Sequence, residues 1–280
     1  MTEGPAGLPT PIALTIAGSD SSGGAGIQAD LKTFSAFGVY GASVITALTA
    51  QNTCGVQGVE VVSAPFVAAQ LNSVLTDLDV AAIKTGMLAN AEIVTAVARV
   101  LAASPGRPLV VDPVMVATSG DTLLAADAVD AVRTSLLPLA TLVTPNLPEA
   151  AILLRVNRAQ SEQDMIGQAE ALRALAGCHA VLVKGGHATG EAALDILASP
   201  AGIERFARPR LATPHSHGTG CSLSAAIAAL LAQGAGLGEA VDRAKTYVWE
   251  GLRHGQGLGI GKGRGPIDHL IRIRGAGPPA

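Results

Sequence analysis

Five strings in this sequence carry side chains and glycines spaced for phosphate chemistry. His217-Gly218-Thr219-Gly220-Cys221 runs into Ser222-Leu223-Ser224 and an alanine-rich stretch of helical period. A glycine-led helix start gathers unpaired backbone N–H groups and the positive end of the helix dipole at one spot, which attracts anions. An anion held there could be a phosphoryl group in transfer, so Gly218, Thr219, Gly220 and Cys221 are candidate catalytic positions. A thiol at a helix N-terminus tends toward a lowered pKa, which makes Cys221 the one cysteine placed to do chemistry. Cys54 and Cys178 read as small core or loop residues.

Two further strings place carboxylates at strand ends. Val110-Val111-Asp112-Pro113-Val114 follows an apolar run, and Thr144-Pro145-Asn146-Leu147-Pro148-Glu149 opens a helix. If Asp112 and Glu149 face one crevice, they could share a hydrated Mg²⁺ with phosphate oxygens. The plainer reading of Glu149 is a helix-capping charge. Lys184-Gly185-Gly186-His187 ends another strand, from which a lysine can reach phosphate oxygens as a point charge.

The last string, Gly18 to Gly26, reads Gly-Ser-Asp-Ser-Ser-Gly-Gly-Ala-Gly and joins a strand to a helix. Its small residues let the backbone approach a ligand closely. Gly24, Gly26 and Ala29 also match the spacing of a dinucleotide fingerprint. Against that stand the loop before the first glycine and the absence of an acidic residue at the end of the second strand, around Ala47 to Asn52. No segment fits the P-loop pattern: around Gly261-Lys262, Gln256 replaces the first glycine and Gly263 replaces the Ser or Thr. Metalloprotease and nucleophile-elbow patterns are missing too.

The elements that must position these strings alternate. Strand-like Ile12 to Ala17, Ser43 to Leu48, Ala81 to Lys84, Leu109 to Val111, Leu142 to Thr144 and Ala180 to Lys184 are separated by helical segments. These are Ala25 to Phe37, Pro65 to Thr76, Asn90 to Ala103, Ala125 to Leu137, Leu147 to Leu154 and Glu162 to Ala176. Ala193 to Ala198 and Ile203 to Arg208 read as antiparallel edge strands, followed by helices near Ser222 to Gln233 and Leu237 to His254. Such alternation predicts an α/β fold, a mostly parallel sheet with helices on both faces and the ligand site beyond the C-terminal strand ends. One domain over 12–270 is expected, with tails at 1–11 and 271–280.

Composition narrows the partner. Of 280 residues, 49% are hydrophobic and only 2% aromatic, so the core is aliphatic and suits strands buried on both faces. The longest apolar run, Ala225 to Ala232, falls far short of the roughly 20 residues that span a bilayer. No segment reads as a secretion signal, and three widely spaced cysteines suit a reducing compartment, so a cytoplasmic protein is expected. A net charge of -3 without a basic cluster gives no footprint for nucleic acid. A small-molecule partner is the expectation.

Taken together, Ala17 to Asp30, Thr46 to Thr53, Lys84-Thr85-Gly86-Met87-Leu88, Asp112 to Met115, Thr118-Ser119-Gly120-Asp121, Thr144 to Ala150, Val183 to His187, His217 to Cys221 and Gly261 to Gly263 resemble the hydroxymethylpyrimidine/phosphomethylpyrimidine kinase family. The resemblance runs from about Ile12 to His269. It implies a ribokinase-like fold without a large lid domain. It also implies ATP and Mg²⁺ as cofactors, and phosphorylation of 4-amino-5-hydroxymethyl-2-methylpyrimidine to its monophosphate and then its diphosphate in thiamin biosynthesis. Gln51 would read the pyrimidine edge, its amide offering an acceptor and a donor. Gly18, Asp30, Met87 and Val114 would surround the ring. Asn146, Lys184, Asp112 and Glu149 would hold the nucleotide side, the two carboxylates reaching the metal through water. A homodimer is implied as well. Pyridoxine or pyridoxal kinase, of the same superfamily, is the nearest rival.

Many sugar kinases of that superfamily carry an aspartate base in Gly-Ala-Gly-Asp, where this chain has Gly218-Thr219-Gly220-Cys221. Cys221 either takes the substrate's hydroxyl proton or helps the 218–221 amides hold the phosphoryl group. Because positioning dominates a loose phosphoryl transfer, Cys221→Ala is expected to lose most but not all turnover in a steady-state ADP-release assay. Unchanged turnover would remove the residue from the reaction.

Overall fold

The structure, a computed structural model, describes residues 9–115, 126–186 and 190–274. The string Thr118 to Asp121, His187 and most of both tails lie outside the described residues. Among the described residues nine strands form one sheet: β1 (Ile12–Asp20), β2 (Tyr40–Asn52), β3 (Gly55–Val61), β4 (Val80–Thr85), β5 (Leu109–Val111), β6 (Leu142–Val143), β7 (Ala180–Lys184), β8 (Ala192–Ser199) and β9 (Gly202–Pro209). Their spatial order is β3-β2-β1-β4-β5-β6-β7-β8-β9. The six strands from β2 to β7 run parallel; β3 at one edge and β8 and β9 at the other are antiparallel.

Side chains alternate across the parallel strands as a pleat requires. Leu14, Ile16, Val111, Val143, Val181 and Val183 face one core with α2 (Ala64–Asp77), α3 (Ala91–Ala102), α4 (Ala126–Ala131), α5 (Leu147–Leu154) and α6 (Glu162–Ala176). Ala13, Val110, Leu142, Ala180 and Leu182 face the other, with α1 (Gly26–Ala36), α7 (Thr219–Ala232) and α8 (Leu237–Gly255). Residues buried on both faces explain why the strands read as continuous aliphatic runs. Local signals start the helices: Asn90 accepts from the Ile93 amide, and Asn146/Glu149 and Ser161/Asp164 form capping boxes. No helix among the described residues is long and apolar enough to cross a membrane.

Several boundaries differ from expectation. β1 runs on to Asp20 and β2 to Asn52, so both carry their residues further toward the crevice. β3 was not expected. It pairs back on β2 from Asn52↔Gly55 to Ala47↔Val61, and most of it is solvent-exposed, so it lacks the apolar run of a buried strand. The helix expected from Ala125 to Leu137 is α-helical only to Ala131, then widens through a π-helical turn at Val132–Leu136 and ends in a 3₁₀ turn containing Pro138. Ile271–Arg274, expected to begin a tail, forms a short helix, α9, with Ile271 buried.

Chain order reverses between β1 and β4: the chain goes from β1 to β2 on one side and returns to β4 on the other. That is a topological switch point, where an open α/β sheet leaves a crevice above the strand ends. The segment after α8 crosses this crevice. Gly263 N donates to Thr53 Oγ1 (3.0 Å) and Arg264 N to Thr53 O (2.8 Å), tying it to the β2–β3 hairpin. A Cβ on Gly263 would lie 2.2 Å from Thr53 O, so only glycine permits that approach. Further along, Gly265 O accepts from His217 N (3.2 Å).

Candidate active site

A cavity of about 810 Å³ opens at the switch point. β1 contributes Gly18 to Asp20, β2 contributes Thr49 and Gln51, and β4 leads into Gly86 and Met87. The far side is built from Asp112, Asn146, Glu149, Lys184 and the 217–221 segment. All the residues singled out in the sequence line it except Asp30. That carboxylate is 0% exposed, behind the cavity, with Oδ2 2.7 Å from Lys84 Nζ and 2.6 Å from Thr15 Oγ1. The ring contact expected of Asp30 is therefore corrected: helix α1 turns it toward Lys84, and Lys84 is the member of the pair that reaches the cavity. Burial alone would lower the Lys84 pKa, but the carboxylates of Asp30 and Asp112 outweigh it and keep the ammonium charged.

At the nucleotide-side candidates, Lys184 Nζ donates to Asp112 Oδ1 (2.8 Å), Thr144 Oγ1 lies 3.2 Å from the same oxygen, and Ser224 Oγ lies 3.2 Å from Oδ2. Burial opposes ionisation of Asp112, yet Lys184 and Lys84 hold its carboxyl below the ordinary range. Glu149 does serve as a cap: its Oε2 accepts from Asn146 N (2.8 Å), while Asn146 Oδ1 accepts from Glu149 N (2.9 Å). Burial pushes its carboxyl up, Lys184 pulls it back and Asp112 pushes again, leaving it at about 7. Asp112 makes Glu149 costlier to ionise, a cost that a cation between the two buried carboxylates would relieve. The donor set thus fits a hydrated Mg²⁺ that takes its remaining oxygens from phosphate and water. Among the described residues, no cluster of three or more His, Cys, Asp or Glu offers an all-protein metal cage.

The anion loop is fixed by close backbone contact. Gly218 is the N-cap of α7 at φ 78°, and a Cβ there would lie 1.9 Å from Gly24 O. A Cβ at Gly220 would lie 3.4 Å from Lys184 Nζ and 3.6 Å from Asp112 Oδ2, so the helix start meets the Lys184–Asp112 pair directly. α7 begins at Thr219, three residues before the expected start, which puts Cys221 inside its first turn. The lowered thiol pKa expected there is reversed. Burial pushes Cys221 up, Lys84 pulls it down, and Asp30 and Asp112 push again, leaving it at about 11. A protonated thiol in the first turn leaves the helix amides as the stronger anion-binding feature.

At the β2 end, Gln51 is held by Ser21, whose Oγ donates to Gln51 O (2.8 Å) and accepts from Gln51 N (2.9 Å). Met87, buried, lies against Gly18, where any Cβ would fall 2.5 Å from its terminal methyl. The dinucleotide reading fails on geometry: the Gly24 and Ala25 amides are committed to Asp20 Oδ2 (3.1 and 2.8 Å), leaving no cradle for a pyrophosphate. Sequence reasoning had not singled out Asp20, Lys84, His217 or His269. Asp20, Lys84 and His217 were visible only as polar residues inside or beside a glycine string, and His269 only as a polar residue in the segment after one.

A glycine-led helix start, a lysine–carboxylate pair and Gln51 thus line one crevice of a doubly wound α/β scaffold, an arrangement suited to phosphoryl transfer. Residues 20–268 match the phosphomethylpyrimidine kinase family. The hydroxymethylpyrimidine/phosphomethylpyrimidine kinase of Rhizobium meliloti is 56% identical over 263 residues, covering 94% of this chain and 98% of that one. The ADP complex of Bacillus subtilis pyridoxal kinase superposes with a TM-score of 0.86 at 37% identity, over 95% and 99% of the two chains. Phosphomethylpyrimidine kinase from Clostridium difficile gives 0.76 at 43%, over 85% and 97%. The chain belongs to the phosphomethylpyrimidine kinase family, and its fold is the ribokinase-like one expected.

Behind the anion loop, Ser222 Oγ donates to Gly218 O (2.8 Å) and accepts from His269 Nε2 (2.9 Å). Burial, reinforced by Lys32, lowers the His269 imidazole to about 4. An unfolded His269 titrates near 6.5, so between those values the unfolded chain binds the extra proton. The stability contributed by the neutral ring is full above about pH 6.5 and lost as pH falls toward 4. Melting temperatures from about pH 7 to about pH 4 should fall more steeply for the wild type than for His269→Gln. Parallel curves would contradict this arrangement.

Proposed function

We propose that this chain transfers the γ-phosphoryl group of ATP to the hydroxymethyl oxygen of 4-amino-5-hydroxymethyl-2-methylpyrimidine, and then a second one to the phosphate of that product, in thiamin biosynthesis. The observation that carries the reading is the placement of Gln51 and Met87 at one end of a single cavity and Lys184, Asp112 and the 218–221 amides at the other. Gln51 pairs with the aminopyrimidine edge, with Gly18, Met87 and Val114 around the ring. Asn146 and Lys184 hold the nucleotide phosphates. A Mg²⁺ ion bound with the nucleotide neutralises phosphate charge, and Asp112 and Glu149 are the residues that would hold it through water.

In each transfer the bond from the γ-phosphorus to the bridging oxygen breaks, ADP leaving with its electron pair, as the bond to the acceptor oxygen forms; in the first transfer the hydroxyl proton passes to an oxygen of the moving phosphoryl group and from there to solvent. Lys184 and the amides of Gly218, Thr219, Gly220 and Cys221 stabilise the charge on the moving group; a single such donor is typically worth about 2.7–4 kcal/mol. With its thiol near 11, Cys221 supports the anion-holding role more strongly than that of a base. Residues 12–270 act as one cytoplasmic kinase domain. A second copy of the chain packs on the β2–β3 hairpin, whose Leu48, Val59 and Val61 are exposed.

The similarity to pyridoxal kinase keeps one other acceptor in view. A site built to hydrogen-bond a polar edge can reject an analogue lacking it by about 10⁴ or more, so Gln51 should favour the aminopyrimidine. Purified protein with MgATP should release ADP with hydroxymethylpyrimidine and yield the diphosphate by mass. Product from pyridoxine alone would replace the reading with the rival, and a monophosphate alone would remove the second step. Sedimentation should give a dimer that dissociates when Val59 and Val61 are both changed to Lys; a monomeric wild type would end the dimer proposal.

A further inference from the structure

Asp20 lies at the C-terminal end of β1, 2% exposed, and receives five hydrogen bonds. Ser22 N and Ser22 Oγ donate to Oδ1 at 2.9 and 2.8 Å. Oδ2 takes the Gly24 and Ala25 amides and, at 2.8 Å, His217 Nε2. Burial would raise this carboxyl, but the hydrogen bonds from His217 and Ser22 hold it well below the ordinary range. An ionised Asp20 therefore fixes His217 with its proton on Nε2. The ring packs closely on Gly24, where a Cβ would lie 2.5 Å from its Cδ2.

His217 immediately precedes Gly218, the N-cap of the anion-binding helix, and its Nε2 lies 3.5 Å from Gln51 Nε2. One carboxylate thus touches the glycine loop after β1 and, through His217, both the start of α7 and the candidate ring reader. We propose that Asp20 and His217 are a positioning pair that sets the distance between the Gln51 end of the cavity and the amides at 218–221. Neither carries a proton in the reaction: both Asp20 oxygens are filled by protein donors, and the Nε2 proton of His217 is committed to Asp20. The pair acts by holding the acceptor hydroxyl within reach of the phosphoryl group. A misplacement of about 1 Å there can cost on the order of a hundredfold in rate. The roles of Gln51 and the amides in this inference rest on the reading proposed above.

The test is a double-mutant cycle on Asp20→Asn and His217→Ala, with His217→Gln as the conservative variant that keeps an amide donor. Each single change should lower kcat at least tenfold, with the KM for MgATP unchanged within about twofold. The double variant should be no slower than the worse single, because the residues act as one unit. His217→Gln should recover most of the loss, and thermal melts should show all four proteins folded at the assay temperature. Multiplying losses, an unchanged kcat, or no recovery by glutamine would overturn the pair. An independent readout needs no substrate: the wild type should show an exchange-protected imidazole N–H proton resonance that disappears in Asp20→Asn, and its absence in the wild type would also overturn the pair. Should the wild type phosphorylate only pyridoxine, the substrate reading falls, and the same cycle run on pyridoxine still decides the pair.

Discussion

A lysine buried at the switch point must stay charged, and much of the site follows from that requirement. Moving an ammonium or a carboxylate from water into a protein interior costs several kcal/mol per ion, repaid only by close, well-oriented partners. Lys84 and Asp30 meet at 2.7 Å with neither side chain exposed, and Thr15 adds a third contact. β1 supplies the threonine, α1 the aspartate and β4 the lysine, so the pair pins together the three elements around the crevice. It also sets a positive charge beside Cys221 and Asp112.

The rest of the cavity is an exercise in balancing buried charge. Lys184 offsets Asp112; Lys245 offsets Asp195, whose other oxygen accepts from Gly185 N beside Lys184. Glu149 is the group left undercompensated, which is why its carboxyl sits near neutrality while Asp112 stays ionised. A polyphosphate bound as proposed would bring further negative charge to this place, and a cation accompanying it would suit both the protein and the ligand. The anion loop adds no formal charge. It adds oriented amides, and these cost no reorganisation because Gly218 is locked against Gly24.

Much of this was legible in the residues. Strands buried on both faces announced themselves as aliphatic runs, and the glycine strings fell at strand ends, where a doubly wound sheet puts its ligands. Three things were not legible, each for a physical reason. β3 was missed because a hairpin strand exposed along most of its length needs no hydrophobic period. The Cys221 pKa was inferred from the helix dipole alone; burial and two neighbouring carboxylates outweighed it, and those come from elements distant in sequence. Asp20 looked like one polar residue among the serines and glycines of a loop. Its importance depends on His217, which lies 197 positions away.

The strap after α8 bears on how the protein comes into being. Thr53 is gripped by Gly263 and Arg264, and the backbone of His217 is held by Gly265. The wall of the crevice is thus finished by residues that follow every strand of the sheet in sequence. Chains emerging from the ribosome fold from the N-terminus onward, so β1 to β7 can assemble early while the hairpin and the anion loop still lack their clasp. A chain cut short of Gly263 would hold most of its core and no finished pocket: competence to bind waits on a stretch that follows α8 in sequence.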